Sequence, residues 1–245
     1  LPFPRSSYES ATVLGWLPEN ISTYGHRIDH VIEVIYYIVG AWFALAEGLF
    51  LFFILKYRRR PGVVAAWQPG TTLRALAWIL VPAVAVVGFD IGIDIVQGPV
   101  WSEIKIALPS QPDQVVRIKG RQFVWECTHP GADGLLDTPD DIQMLNQLTV
   151  PVGRKIQFEL EAEDVLHSLW IPNLRLKQDA VPGRKIKGWF EATKEGNWPI
   201  ACAELCGSGH GIMKGELHVL NEADYQKWIQ ENSPQPMEVS SLGSD

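Results

Sequence analysis

The stretch VIEVIYYIVGAWFALAEGLFLFFIL, residues 31–55, is 25 residues long and almost wholly apolar. A helix rises ~1.5 Å per residue, so this run exceeds the ~30 Å hydrocarbon core of a bilayer. A second run, Ala75–Phe89, has 15 uncharged residues and reaches spanning length when extended to Val96 across Asp90 and Asp94. Two transmembrane helices are therefore expected, at about 31–55 and 73–97. The first starts late, is too long for a signal peptide and lacks a small-residue cleavage pattern after it, which favours a helix that is retained.

Between them, KYRRRPGVVAAWQPGTTLR (residues 56–74) carries Lys56, Arg58, Arg59, Arg60 and Arg74 with no acidic residue. By the positive-inside rule that loop is cytoplasmic, and both termini lie on the outer side. Residues 1–98 then form an N-terminal segment with two helices, 99–232 an extracytoplasmic domain, and 233–245 a disordered tail. Residues 1–98 hold seven basic and seven acidic side chains, so the whole net charge of −7 falls on the outer domain and tail together, residues 99–245. Such a balance disfavours nucleic acid as a partner and is suited to steering a basic one, or simply to solubility.

The outer domain reads as short segments divided by Gly and Pro: SEIKIAL, QVVRIKG, RQFVWEC, RKIQFELEA, RKIKGWFEAT and KGELHVL. In KIQFELEA, Ile156, Phe158 and Leu160 alternate onto one face, as in a half-buried strand. Repeated strands of this kind predict a β-sandwich or small barrel. EADYQKWIQEN follows as an amphipathic helix. The loop HPGADGLLDTPDDIQ gathers Asp133, Asp137, Asp140 and Asp141; it matches no full EF-hand and reads as a solvated acidic insertion rather than a Ca²⁺ site.

Chemistry concentrates in ACAELCGSGHGIMKGELHV, residues 201–219, where Cys202, Cys206, His210 and Met213 fall within twelve residues. A Cys202–Cys206 disulfide is the plain reading in an oxidising compartment, yet it leaves His210 and Met213 unexplained. Thiolate, imidazole and thioether form a soft donor set that selects copper over magnesium or calcium. A structural zinc site would close with four ligands, and methionine is an unusual choice for zinc. A mononuclear blue-copper site takes one thiolate; two thiolates suit a pair of coppers if a second imidazole arrives from elsewhere. His167, just before a turn marked by Pro172, is the best candidate. His26 and His30 precede the first helix, His129 lies in the acidic loop, and His218 lies in a strand.

DVLHSLWIPNLRLKQDAVPGR followed by CAELCGSGHGIM, after two membrane helices, closely resembles subunit II of the haem-copper cytochrome c oxidases. The resemblance implies a two-helix transmembrane hairpin bearing an all-β, cupredoxin-like Greek-key sandwich with a binuclear copper centre, Cu A. It implies Cys202 and Cys206 as bridging thiolates, and His167 and His210 as one ligand to each copper. It makes Met213 and the Glu204 carbonyl the weak axial ligands, with the Glu204 carboxylate reaching a magnesium ion beside subunit I. Electrons would come from cytochrome c or a respiratory complex and pass to haem in subunit I, the proton-pumping site of oxygen reduction. Glu47, Asp179 and Arg184 are candidates for that interface or for a proton path.

Two departures stand out. The family's G-x-Q-W-x-W appears as GRQFVWEC, so Phe123 replaces the customary electron-entry tryptophan while Trp125 remains. A glutamate usually found three residues before Trp78 is here Ala75. Both favour a bacterial inner membrane over a mitochondrial one. Cys127 reads as a small hydrophobe rather than a second metal ligand with His129. The absence of C-x-x-C-H excludes a covalent haem on this chain. The alternative function is a membrane-tethered copper-delivery or zinc-stabilised binding protein with no redox role.

Overall fold

The computed structural model describes residues 15–67 and 69–234. They divide into two compact units, one comprising Gly15 and Arg27–Ser102 and the other Trp16–His26 with the chain from Glu103 onward. In the first unit, α1 (Gly25–Lys56) and α2 (Leu73–Trp101) are each long and apolar enough to cross a membrane. Their apolar side chains are exposed along the length of both helices, Trp78 by 82% and Phe50 by 59%, as expected of surfaces that meet lipid rather than water. Trp42 of α1 meets Phe89 of α2 edge to face at 5.8 Å. Thr72 caps α2 by accepting the Ala75 N–H at 3.3 Å.

SEIKIAL, expected as a strand, instead continues from α2 as a π-helical turn, Ser102–Ile106. The Ser102 N–H reaches back to the Gly98 and Pro99 carbonyls, so the helical path is not broken there. A strand would put Ile104 and Ile106 on one face; the turn separates them, at 7% and 69% exposed.

The second unit is a sandwich of two five-stranded sheets. One has the order β3 (Ile142–Leu145), β2 (Val124–His129), β1 (Gln114–Arg121), β5 (Lys155–Ala162), β8 (Ile186–Glu191). The other has the order β4 (Gln147–Pro151), β10 (Lys214–Leu220), β9 (Gly196–Cys202), β6 (His167–Ile171), β7 (Leu176–Ala180). The β1–β5 and β4–β10 pairs are parallel, while every other pair is antiparallel. Parallel neighbours cannot be joined by a hairpin, so the chain crosses between sheets, as a cupredoxin-like Greek-key sandwich requires. Ile156, Phe158 and Leu160 are fully buried, as their alternation predicts, beside Val116 and Ile118 of β1 and Phe190 of β8 in the same sheet. A Cβ on Gly188 would fall 2.3 Å from Phe158 Cζ, so the ring occupies the space a side chain would need.

Trp16–His26 packs with the sandwich rather than with the helices, a correction to a domain boundary drawn at residue 98. Ile21 and Tyr24 are 0% and 2% exposed. The Ile21 N–H donates to the Asn173 carbonyl at 2.9 Å, the Thr193 N–H to the Ile21 carbonyl at 2.7 Å, and the Tyr24 hydroxyl to the Trp189 carbonyl at 3.3 Å. Nothing in the sequence's charge or hydropathy marks these eleven residues, because what pairs with them is more than 140 positions away.

The acidic loop is held by its own polar groups. Arg117 makes a bidentate pair with Asp137 at 2.8 and 2.9 Å, Asp140 accepts from Thr138 Oγ1 at 2.7 Å, and Asp141 accepts from the Asp137 N–H at 2.9 Å. α3 (Glu222–Asn232) closes the end of the core, its Tyr225 and Ile229 packing on Ile142. The expected disordered tail falls, from residue 235, outside the described residues.

Beneath α3 lies His129, 0% exposed. Its Nε2 accepts the Thr149 N–H at 2.9 Å, joining the two sheets, and its ring meets Trp228 edge to face at 5.0 Å. Cys127, two residues earlier on the same strand, is likewise buried, and burial pushes its thiol up to about 12. Burial lowers the His129 pKa from 6.5 to about 4, against a backbone hydrogen bond to Ile142 that raises it. A base whose folded pKa lies below its unfolded value stabilises the fold above the unfolded value, and that stability is lost as pH falls from about 6.5 through about 4. Acid unfolding of the sandwich should therefore lose up to ~3 kcal/mol over that window. In His129→Gln the slope between pH 6.5 and 4.5 should flatten, read from denaturant midpoints at each pH.

Candidate metal centre

β9 ends at Cys202, and the chain returns as β10 at Lys214. The eleven residues between them form a loop closed at its neck by a hydrogen bond from the Cys202 N–H to the Met213 carbonyl, 3.1 Å. Strand β6 lies on the other side of β9, with Leu169 opposite Cys202, and the Ala203 N–H donates to the Ser168 carbonyl at 2.9 Å. That register sets His167, the first residue of β6, beside the loop. A turn of 3-10 helix, His210–Ile212, then carries His210 and Met213 back toward the two cysteines.

Six donors converge. Cys202 Sγ lies 3.8 Å from Cys206 Sγ, 3.9 Å from His167 Nδ1 and 3.3 Å from the Glu204 carbonyl oxygen. Cys206 Sγ lies 3.7 Å from His210 Nδ1 and 3.9 Å from Met213 Sδ. His167, Cys202 and Cys206 present ligand atoms within 4.8 Å of one another, and both thiols are free rather than joined in a disulfide. His167, Cys202, Cys206 and Met213 are buried and His210 is partly so. Burial, then the neighbouring Cys202 thiol, push Cys206 up to about 11, so a metal entering here must displace a tightly held proton. Two thiols, two imidazoles, a thioether and a carbonyl in one buried pocket fit a pair of soft metal ions and exceed the needs of a single tetrahedral zinc.

His167 is oriented by a residue the sequence reading passed over. Asp164 Oδ1 accepts from His167 Nε2 at 2.8 Å, which leaves Nδ1 facing the thiols. Partial burial alone would raise the Asp164 pKa, but hydrogen bonds from His167 and from the Gln122 and Val165 N–H groups outweigh it and lower the value to about 2. The i, i+3 spacing of Asp164 and His167 is the one sequence signal that would have pointed to this pair.

Residues 115–219 match the family model for the periplasmic domain of cytochrome c oxidase subunit II. These residues carry the periplasmic domain of the cytochrome c oxidase subunit II family. Cytochrome c oxidase subunit 2 of Thermostichus vulcanus is 29% identical, over 89% of this chain and 79% of that one. The corresponding protein of Alkalihalophilus pseudofirmus is 33% identical over 75% of this chain and 52% of its own length. The crystal structure of the periplasmic domain of subunit II of cytochrome oxidase from Bradyrhizobium japonicum aligns with 51% of this chain and 96% of its own, at 25% identity and TM-score 0.46.

Against this subunit II fold the remaining expected site residues are scattered. Phe123 is half-buried and its ring lies over the loop: a Cβ on Gly209 would fall 2.5 Å from Phe123 Cγ and Cδ2. Trp125 is fully buried, edge-on to His167 at 6.0 Å, so it lines the inside of the site and not the surface. Asp179 is exposed on β7 opposite Ser168, and Arg184 is exposed in the turn after β7, where its N–H donates to the Val181 carbonyl at 3.1 Å. Glu47 stands exposed on α1, in the other unit.

Because Phe123 fills the space above Gly209, Gly209→Ala should force the ring aside and destabilise the sandwich by ~1–3 kcal/mol, as overpacking does. Pairing it with Phe123→Ala should recover part of that loss, measured by thermal unfolding of the metal-free chain.

Proposed function

We propose that the chain is the electron-entry subunit of a haem-copper oxygen reductase, holding a binuclear copper centre and delivering single electrons to haem in subunit I. The observation that carries this is the convergence of Cys202, Cys206, His167, His210, Met213 and the Glu204 carbonyl in one closed loop. Cys202, Cys206, His167 and His210 would hold the copper pair as the strong thiolate and imidazole donors, with Met213 and the Glu204 carbonyl as the weak ones. Bound there, the copper pair supplies one-electron redox chemistry with the change in charge shared over two ions.

The chain's own residues then do three things. The sandwich holds the donors on strand ends and a hydrogen-bonded loop, so ligand positions change little as the electron arrives and leaves. Asp164 fixes the His167 ring, and burial of the thiols and Met213 keeps water from the site. Phe123, Leu205 and Ile212, the last two 76% and 78% exposed, form an apolar surface around the loop against which a donor such as cytochrome c can seat. The Glu204 carboxylate would reach a magnesium ion, and Glu47, Asp179 and Arg184 belong to the surfaces offered to subunit I. The helices anchor this in the bacterial inner membrane with the copper domain on the periplasmic side.

Elemental analysis of the purified, copper-exposed chain should return two coppers, with a purple mixed-valence chromophore. Cys202→Ser or Cys206→Ser should abolish that chromophore, because one thiolate cannot bridge the pair symmetrically, whereas Met213→Leu should keep both coppers and shift the potential. A single copper, or zinc alone without colour, would sink the proposal and favour a delivery or zinc-stabilised role.

The net charge of −7 carried from residue 99 onward gives a basic donor a faster encounter. Stopped-flow reduction of the intact oxidase by a basic cytochrome c should slow roughly tenfold or more as salt rises and the Debye length shrinks to ~8 Å and below. A flat response would remove steering and leave acidity to solubility.

A further inference from the structure

The turn between β1 and β2, Arg121–Gln122–Phe123, reaches across to two different parts of the metal centre. The Gln122 N–H donates to Asp164 Oδ2 at 2.7 Å, and the other oxygen of that carboxylate accepts a hydrogen bond from His167 Nε2 at 2.8 Å. The Gln122 side-chain amide donates to the Cys206 carbonyl at 2.6 Å. The approach is close: a Cβ on Gly207 would fall 2.7 Å from Gln122 Nε2 and 3.2 Å from the Phe123 ring, and Gly207 itself has φ +132°, a conformation suited to glycine.

The geometry points to Gln122 as a positioning residue of the metal centre, tying the Cys206 segment of the loop to His167 on β6 through Asp164. Neither Gln122 nor Asp164 offers an atom to the metals in the donor set described above. Their effect is on spacing. Cys206 sits in a stretch without regular secondary structure, so its Sγ is placed by the backbone, and the Gln122 amide holds that backbone at its carbonyl. His167 comes from the opposite side of the site, on β6. Without a shared mount the two would move independently with the loop and the strand. With it, Cys206 and His167 are both referred to one short turn, and the distance between a bridging thiolate and an imidazole is fixed by three hydrogen bonds. Packing of Phe123 on Gly209 adds an apolar contact beside the polar one, so the turn grips the loop at two points.

This inference rests on the copper reading, and its test separates the two. Gln122 is exposed, so its replacement spares the core. The full-length chain in detergent, loaded with copper, is compared with Gln122→Ala and Gln122→Met; the second keeps side-chain length without a donor. Both variants should retain two coppers, show an altered hyperfine pattern in the mixed-valence EPR spectrum, and lose copper to excess chelator about fivefold faster, the effect of one lost hydrogen bond. If Gln122→Met restores the wild-type spectrum and release rate, the role is steric and the hydrogen-bonded tie is overturned. It is equally overturned if both variants match the wild type. If the wild type itself takes up no copper pair, the proposed function fails, which a failed tie alone would not produce.

Discussion

Between β9 and β10 the chain must leave one strand and return along its antiparallel neighbour, and the hydrogen bond from the Cys202 N–H to the Met213 carbonyl holds the two ends of that excursion together. Cys202 and Met213 are thus fixed by strand geometry. Cys206 and His210 depend on what the intervening residues can pack against. Those residues contain three glycines, and two of them, Gly207 and Gly209, let the Gln122–Phe123 turn come within contact distance. Closing the neck makes the pocket; the glycines allow it to be covered.

The burial that follows has a chemical cost and a chemical use. Thiols in an apolar pocket resist ionisation, as the rise at Cys206 shows, and only a strongly bound cation returns them to thiolate. The same burial limits solvent reorganisation once a metal is present. A site with these donors on the surface would bind metal more readily and hold its geometry less well.

How much of this was legible in the sequence depended on range. The membrane helices follow from composition, and Ile156, Phe158 and Leu160 from alternation, because both signals are local. The donor set was legible as well, since four of its side-chain donors lie within twelve residues. SEIKIAL misled because two isoleucines two apart mimic a strand, while the helical hydrogen bonds that govern the segment come from Gly98 and Pro99 upstream. Strands β6, β7 and β9 carry no clean alternation: β6 buries four of its five residues, and β9 exposes its first half. Asp164 and Gln122 were missed for another reason. Their partners are set by where a turn of one sheet meets a strand and a loop of the other, and no periodicity records that.

The strap formed by Trp16–His26 precedes α1, yet it pairs with residues such as Asn173, Glu191 and Thr193 that come long after α2. The membrane hairpin is therefore an insertion into the sandwich, and the order of synthesis matters. The strap emerges first and must wait, unpaired, while the hairpin is inserted and the chain is carried back across the bilayer. Only when β6 and β8 have followed can Ile21 and Tyr24 be covered. Completion of the sandwich is in this way made conditional on both helices entering the membrane, since a chain that crossed it only once would leave the strap and its strands on opposite sides.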